Sequence, residues 1–242
     1  LDFPGVQPQL LDAIAVTGKP IVLVMINGRP LTIGDEADKV DAVVEAWYPG
    51  EKGGEAVARV LFGEVNPSGR LSMTFPPTGH IPLYAAQKPS ARGYYKRPGT
   101  PEKPGRDYVF SQPKPLYCFG YGLSYTTFEY KNVSIDNTSL KEGSTINVSC
   151  EVSNVGNYDG AEVVQLYVRD VVSCVTTPVK ALKAFKKIYL KRGETQKVSL
   201  QIAKDDLMIW NKQMQRVLEP GDFEIYIGSS VEDIRLRGCF TL

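Results

Sequence analysis

An α/β layered domain followed by an all-β sandwich is the fold that this sequence of 242 residues predicts. Three observations predict it. Helical periodicity alternates with short apolar runs over residues 1–76, a Pro- and Tyr-rich stretch without periodicity fills 77–122, and a two-residue alternation governs 123–242.

In the first stretch, Val6 to Val16 sets Val6, Leu10, Leu11 and Ile14 on one helical face, and Gly18 ends the run. Pro20 to Ile26 is then a continuous apolar run of strand length, as a strand buried between helix layers requires. Asn27-Gly28-Arg29-Pro30 turns the chain, and Asp41 to Trp47 supplies a second, shorter strand. Gly53-Gly54 opens a helix from Glu55 to Phe62 with Val57, Val60 and Leu61 on its apolar side. Arg70 to Phe75 alternates as a strand would. This rhythm predicts α/β layers.

The middle stretch is crowded with prolines and tyrosines, and it carries Arg92 and Arg106. That composition is unlike a Gly/Ser tether, so we expect an ordered loop packed on a neighbouring surface and ending in a hinge. Beyond Gly122, strands are expected at Thr145 to Val152, Glu162 to Val168, Leu182 to Leu190, Gln196 to Ile202 and Phe223 to Ile227. Turn signals separate them at Asn154-Val155-Gly156-Asn157, Lys191-Arg192-Gly193-Glu194 and Glu219-Pro220-Gly221-Asp222. About seven strands so punctuated read as a sandwich of immunoglobulin or fibronectin type III shape.

The bulk composition excludes several classes. The formal charge is +1, with 28 basic and 27 acidic residues, which gives neither nucleic acid nor an anionic membrane surface a basic patch to meet. The longest apolar run, Ile21 to Ile26, falls far short of the ~20 residues that span a bilayer. The chain opens without Met on Leu1-Asp2-Phe3-Pro4-Gly5, which reads as the interior of a longer polypeptide. Cys118, Cys150, Cys174 and Cys239 are too scattered for a zinc site; they admit three disulfide pairings, and buried free thiols are the plainer reading. Sequons stand at Asn132, Asn137 and Asn147.

Several motifs resemble, in order, the second and third domains of glycoside hydrolase family 3. They are Thr17 to Val24 with Asn27 to Pro30; Trp47-Tyr48-Pro49-Gly50 with Gly53-Gly54; and Leu61-Phe62-Gly63, Asn66 to Leu71 and Thr74-Phe75-Pro76. Phe119 to Phe128 resembles the hinge into the fibronectin-like domain, and within that domain Asn154-Val155-Gly156, Gly160 to Val168 and Pro178-Val179-Lys180 recur. The periplasmic β-glucosidase type is the group they resemble most, with Cys118 standing where that group has proline.

The resemblance implies the C-terminal part of an α/β sandwich domain over 1–76, a loop and hinge over 77–122, and a fibronectin type III-like domain over 123–242. It implies a retaining, exo-acting β-glucosidase, or a β-xylosidase, acting in the periplasm or outside the cell on β-linked glucoside or xyloside oligosaccharides, with no cofactor and no metal. Such an enzyme needs two carboxyl groups roughly 5 Å apart. The resemblance puts the nucleophile on a TIM barrel and the acid/base just ahead of the Leu1 to Gln7 segment, so this chain is expected to carry no catalytic residue and to be inactive alone. Its expected partners are the barrel portion of the same enzyme, the sugar, and a second copy in a homodimer; nucleic acid and membrane are not among them.

The candidate substrate-binding residues are Arg92, Tyr94 and Tyr95. Lys88 to Arg92 resembles a segment that in related enzymes ends near the sugar cleft or a dimer contact. Arg92 offers a planar fork of donors and the tyrosines offer stacking faces, although packing on the surface competes with each role. Trp47 could line a sugar site with its aromatic face, but it ends a buried strand and reads rather as core. Asp35, Glu36 and Asp38 read as solvated charges, as do Asp205 and Asp206, which on a strand would face opposite ways. His80 has no nucleophile elbow to serve, and Gly50 to Gly54 lacks the phosphate-loop spacing. The alternative from another class is a carbohydrate-binding or adhesion module. Against it, no exposed aromatic platform is evident in the strands.

Overall fold

The computed structural model describes residues 1–76, 115–136 and 145–242. Its first part contains helix α1 (Gln7–Ala15), strand β1 (Val22–Met25), the single turn α2 (Gly34–Ala37), strand β2 (Ala42–Glu45) and helix α3 (Gly53–Leu61). Pro8 sits in the first turn of α1, where its missing N–H costs nothing. β1 and β2 pair in parallel, Val22 opposite Ala42 through Met25 opposite Glu45. Their small core gathers Met25, Leu31, Ile33 and Phe75, with Leu23, Val43 and Trp47 packed against it.

Three expectations for this part need correction. β1 is not enclosed on both faces: Val22 is 45% exposed and Ile26, just past its end, 62%, because among the described residues the sheet has only two strands. The apolar face of α1 is likewise open, with Leu11 buried but Val6, Leu10 and Ile14 exposed. Residues 70–75 form no regular strand. They bend at Ser72 and Met73 and touch the segment after the loop through one antiparallel bridge, Phe75 to Tyr117.

The second part is a two-sheet sandwich. One sheet orders β3 (Phe128–Asp136), β4 (Thr145–Asn154) and β7 (Thr195–Ala203); the other orders β11 (Ile234–Thr241), β10 (Asp222–Gly228), β5 (Gly160–Asp170) and β6 (Ala181–Leu190). The single turn α4 (Lys204–Leu207) and the small hairpin β8 (Ile209–Trp210) with β9 (Arg216–Val217) sit between β7 and β10. All neighbouring pairs in the two sheets are antiparallel.

Period-two alternation decides what is inside. Ile146, Val148, Cys150 and Val152 of β4 face Val164, Leu166 and Val168 of β5 and Ile225 and Ile227 of β10, all at most 4% exposed. Each such aliphatic side chain contributes about 1.5–3 kcal/mol on burial. Phe223 and Phe240 stack at 5.2 Å across β10 and β11. Two strands absent from the sequence expectation, β3 and β11, also alternate. In β3 a register shift between Lys131 and Ser134, with Asn132 at φ 56°, interrupts the pattern.

The segment 115–122 joins the parts. The Leu71 amide donates to the Tyr121 carbonyl, the Gly120 amide to Leu71, and the Phe75 amide to Tyr117. Cys118 is buried with Tyr167, Tyr226 and Val231, and Phe119 and Tyr121 cover them. This cover explains why β5 is buried on both faces.

Candidate functional site

Ligand sites in parallel sheets form where the strands end at their carboxyl side. Here those ends are Asn27-Gly28-Arg29 after β1 and Glu45 to Tyr48 after β2. The Asn27 amide donates to Glu45 Oε2 at 3.4 Å, and Glu45 Oε1 accepts from the Trp47 backbone at 2.9 Å. Trp47 thereby takes φ 51°, a conformation rare for an aromatic residue, and its ring lies 6.1 Å from Phe75 in the core. Trp47 is therefore a core residue with a strained backbone, and the next residue, Tyr48, projects 77% exposed. A side chain at Gly28 would collide with the Tyr48 ring, 2.7 Å from where its Cβ would sit, so glycine lets the two loops close on each other.

A groove of about 860 Å³ runs from this edge between α1 and β1, lined by Gln7, Leu10, Ile14 and Ile26 and ending at Arg29 and Tyr48. No carboxylate lines it. Glu45, beside it, is half-buried, and burial pushes its pKa up against the two hydrogen bonds it accepts. Both of its oxygens hold the loops. The edge can offer amide, guanidinium and phenol groups to a polar ligand; it does not offer paired carboxyls.

A second set of residues fixes this part to the sandwich. Arg70 donates two bonds to Glu162, at 2.9 and 2.8 Å, and a third to the Gly122 carbonyl. The pair is nearly sealed, with side-chain exposures of 10% and 3%. Tyr130 adds a hydroxyl bond to Glu162 at 3.1 Å. Burial raises the Glu162 pKa despite Arg70 and Tyr130, and the Arg70 Nε has no partner among the described residues. Asn66 completes the joint. Its Oδ1 accepts from Ser124 and the Tyr125 amide, and its Nδ2 donates to the Asp159 carbonyl.

Arg92, Tyr94 and Tyr95 lie outside the described residues, as do His80 and Asn137. Asp35 and Glu36 open the turn α2. Asp205 and Asp206 are not on a strand but in α4, where Asp206 caps the Ala203 amide and exposed Asp205 pairs with Arg216. All four cysteines are free, but only Cys118 and Cys150 are buried, so the expectation of buried thiols fails for Cys174 and Cys239. Burial raises Cys150 to about 11. At the proline-replacing position, the Cys118 thiol lies 3.5 Å from Ser230 Oγ, also raised by burial. No helix among the described residues is long and apolar enough to cross a membrane.

Sequence reasoning treated Glu162 as one residue of a strand. Its signal was present. Counting back by two from Val168, Leu166 and Val164 places Glu162 on the core face, where a carboxylate needs a partner.

Residues 1–125 match the glycosyl hydrolase family 3 C-terminal domain, and residues 162–231 match the fibronectin type III-like domain. The chain belongs to glycosyl hydrolase family 3. It is 46% identical, over 95% of its length, to a β-xylosidase of Formosa agariphila, and 43% identical, over 100%, to a periplasmic β-glucosidase of Salmonella typhimurium. It spans 31% of the length of each. The structure of a β-glucosidase from Listeria innocua in complex with glucose covers 99% of the chain with a TM-score of 0.86 at 37% identity; the chain covers 33% of it.

Proposed function

We propose that this chain is the C-terminal part of a retaining, exo-acting β-glycosidase that releases glucose, in preference to xylose, from non-reducing ends. The observation that carries the reading is the likeness, along nearly the whole chain, to β-glucosidases and β-xylosidases. In this reading the chain braces the cleft and supplies neither nucleophile nor acid/base; both belong to a barrel-bearing portion of the enzyme. The carboxylate-free groove beside β1 and the engaged oxygens of Glu45 and Glu162 support that division.

The α/β part is assigned to 1–76, the loop and hinge to 77–122 and the sandwich to 123–242. Arg92, Tyr94 and Tyr95 of the loop complete the cleft wall and contact the sugar. The Salmonella relative's name supports action in the periplasm or outside the cell. A second copy is the further partner assigned to the assembled enzyme.

The test is hydrolysis of aryl glycosides by the chain together with its barrel portion. The β-glucoside is expected to turn over fastest, the β-xyloside more slowly and the α-glucoside not at all. Activity on none of the three would refute the reading.

A further inference from the structure

Beyond the cleft, a second groove of about 1280 Å³ lies at the joint, between the end of α3, the turn after β4 and the edge strand β6. Its lining brings together aromatic residues that are far apart in sequence. Phe62 is 85% exposed, Tyr158 63%, Tyr189 60% and Tyr125 46%. The expectation of no evident aromatic platform concerned the strands, and three of these four residues lie outside them. The platform is assembled from four separate segments and is invisible to any search along one strand.

Two of the rings are anchored through their hydroxyls, and the backbone at Tyr158 is held, while all four side chains stay exposed. Tyr125 donates its hydroxyl to the Val60 carbonyl at 2.8 Å, and Tyr189 donates to Asp159 Oδ2 at 3.3 Å. Asp159 is itself fixed by the Arg192 amide at 2.8 Å, and the Tyr158 carbonyl accepts from Asn154 Nδ2 at 2.8 Å. An anchored ring such as Tyr189 offers area for stacking at a low entropic cost, because little freedom remains to be lost on binding.

The polar lining suits a neutral ligand with many hydroxyls. Lys187 offers a donor and Asp159 and Glu64 offer acceptors, so the lining carries both signs and no cationic cluster. A nucleic acid would need a cationic lining, and an amphipathic helix would need a continuous aliphatic one. Phe185, Lys187 and Tyr189 also alternate outward along the exposed edge of β6, which extends the strip beyond the groove.

We infer that this groove is an accessory, non-catalytic binding site for a β-linked oligosaccharide or polysaccharide chain, with Tyr158 and Tyr189 as its stacking faces. The ligand class rests on the glycosidase reading; the site does not. The experiment is native gel electrophoresis of the full chain through soluble mixed-linkage β-glucan, beside a gel without polysaccharide. The chain is expected to be retarded. Tyr158→Ala and Tyr189→Ala should each weaken retardation about tenfold, the scale of one aromatic anchor, while Tyr189→Phe keeps it. Circular dichroism of each variant reads folding separately.

An unretarded wild-type chain, or equal retardation of the Ala variants, overturns the inference. Retardation that disappears once the barrel portion is added also overturns it, since the groove would then be an internal contact of the enzyme. Hydrolysis of small aryl glycosides by the chain mixed with its barrel portion, without polymer binding by the chain, refutes the groove and leaves the glycosidase reading standing; polymer binding by the chain with no hydrolysis by the mixture does the reverse.

Discussion

The two parts of the molecule use the same aliphatic residues to opposite effect. In the sandwich, Ile146, Val148, Leu166 and Ile225 are 0% exposed; in the α/β part, Val22, Ile26 and Leu10 stand 45%, 62% and 60% open. The sandwich closes its core with its own two sheets. The α/β part has two short strands and cannot cover both faces of them. An apolar face left this open marks an interaction surface, and under the proposed function it belongs to the barrel-bearing portion. Hydrophobic pattern thus reports what must be buried and leaves open which chain buries it.

The comparison can be broken first at the joint. Glu162→Ala strands Arg70 in a nearly sealed site and should cost about 3–5 kcal/mol in chemical denaturation. Arg70→Met with Glu162→Leu should recover most of that loss, because desolvating the pair offsets much of its attraction. A double variant as unstable as the single would show that the charges themselves hold the parts together.

Inside each part the contrast sharpens. Ile225→Ala should cost about 2–5 kcal/mol, whereas Leu10→Ala in the chain alone should stay within about 0.5 kcal/mol. Trp47 and Trp210, the only two tryptophans, report the two parts separately by fluorescence. Equal losses at Ile225 and Leu10 would contradict the open-face description. Gly156→Ala should cost about 1–3 kcal/mol, since its Cβ would lie 2.2 Å from Thr126 Oγ1 and 2.5 Å from the Thr127 amide nitrogen.

The smallest effects are those of pH, and they run in opposite directions. Burial raises the Glu162 pKa above its ordinary 4.5, so the folded state holds that proton more tightly, and acidification toward 4.5 adds stability. The Arg235 hydrogen bonds hold Asp233 below its ordinary 3.8, so its contribution is present above 3.8 and lost as pH falls further. In melting curves against pH, Glu162→Gln should remove the first trend and Asp233→Asn the second. Unchanged profiles would mean that neither carboxylate titrates as its surroundings dictate.

Much of this was legible in the sequence. Clean alternation such as Thr145 to Val152 gave the sandwich strands to within a few residues, and the motif order gave the family. β3 hides from periodicity because the shift at Asn132 breaks its alternation midway, and residues 70–75 imitate a strand because alternation alone does not supply a partner strand. The open face of α1 could not be read at all, since Leu10 and Leu11 look alike until the sheet's width is known. The joint and the aromatic groove depend on contacts across many tens of residues: Arg70 to Glu162, and Phe62 to Tyr125 to Tyr189. Local periodicity carries no trace of those. The candidate sugar contacts Arg92, Tyr94 and Tyr95 lie outside the described residues and stand as proposals.

The most direct test of the division of labour is hydrolysis of an aryl β-glucoside by the purified 242-residue chain, alone and then mixed with the barrel-bearing portion. No turnover alone and turnover on mixing is the predicted result. Turnover by the chain alone, abolished by changing one of its own carboxylates, would contradict the claim that the catalytic pair resides elsewhere.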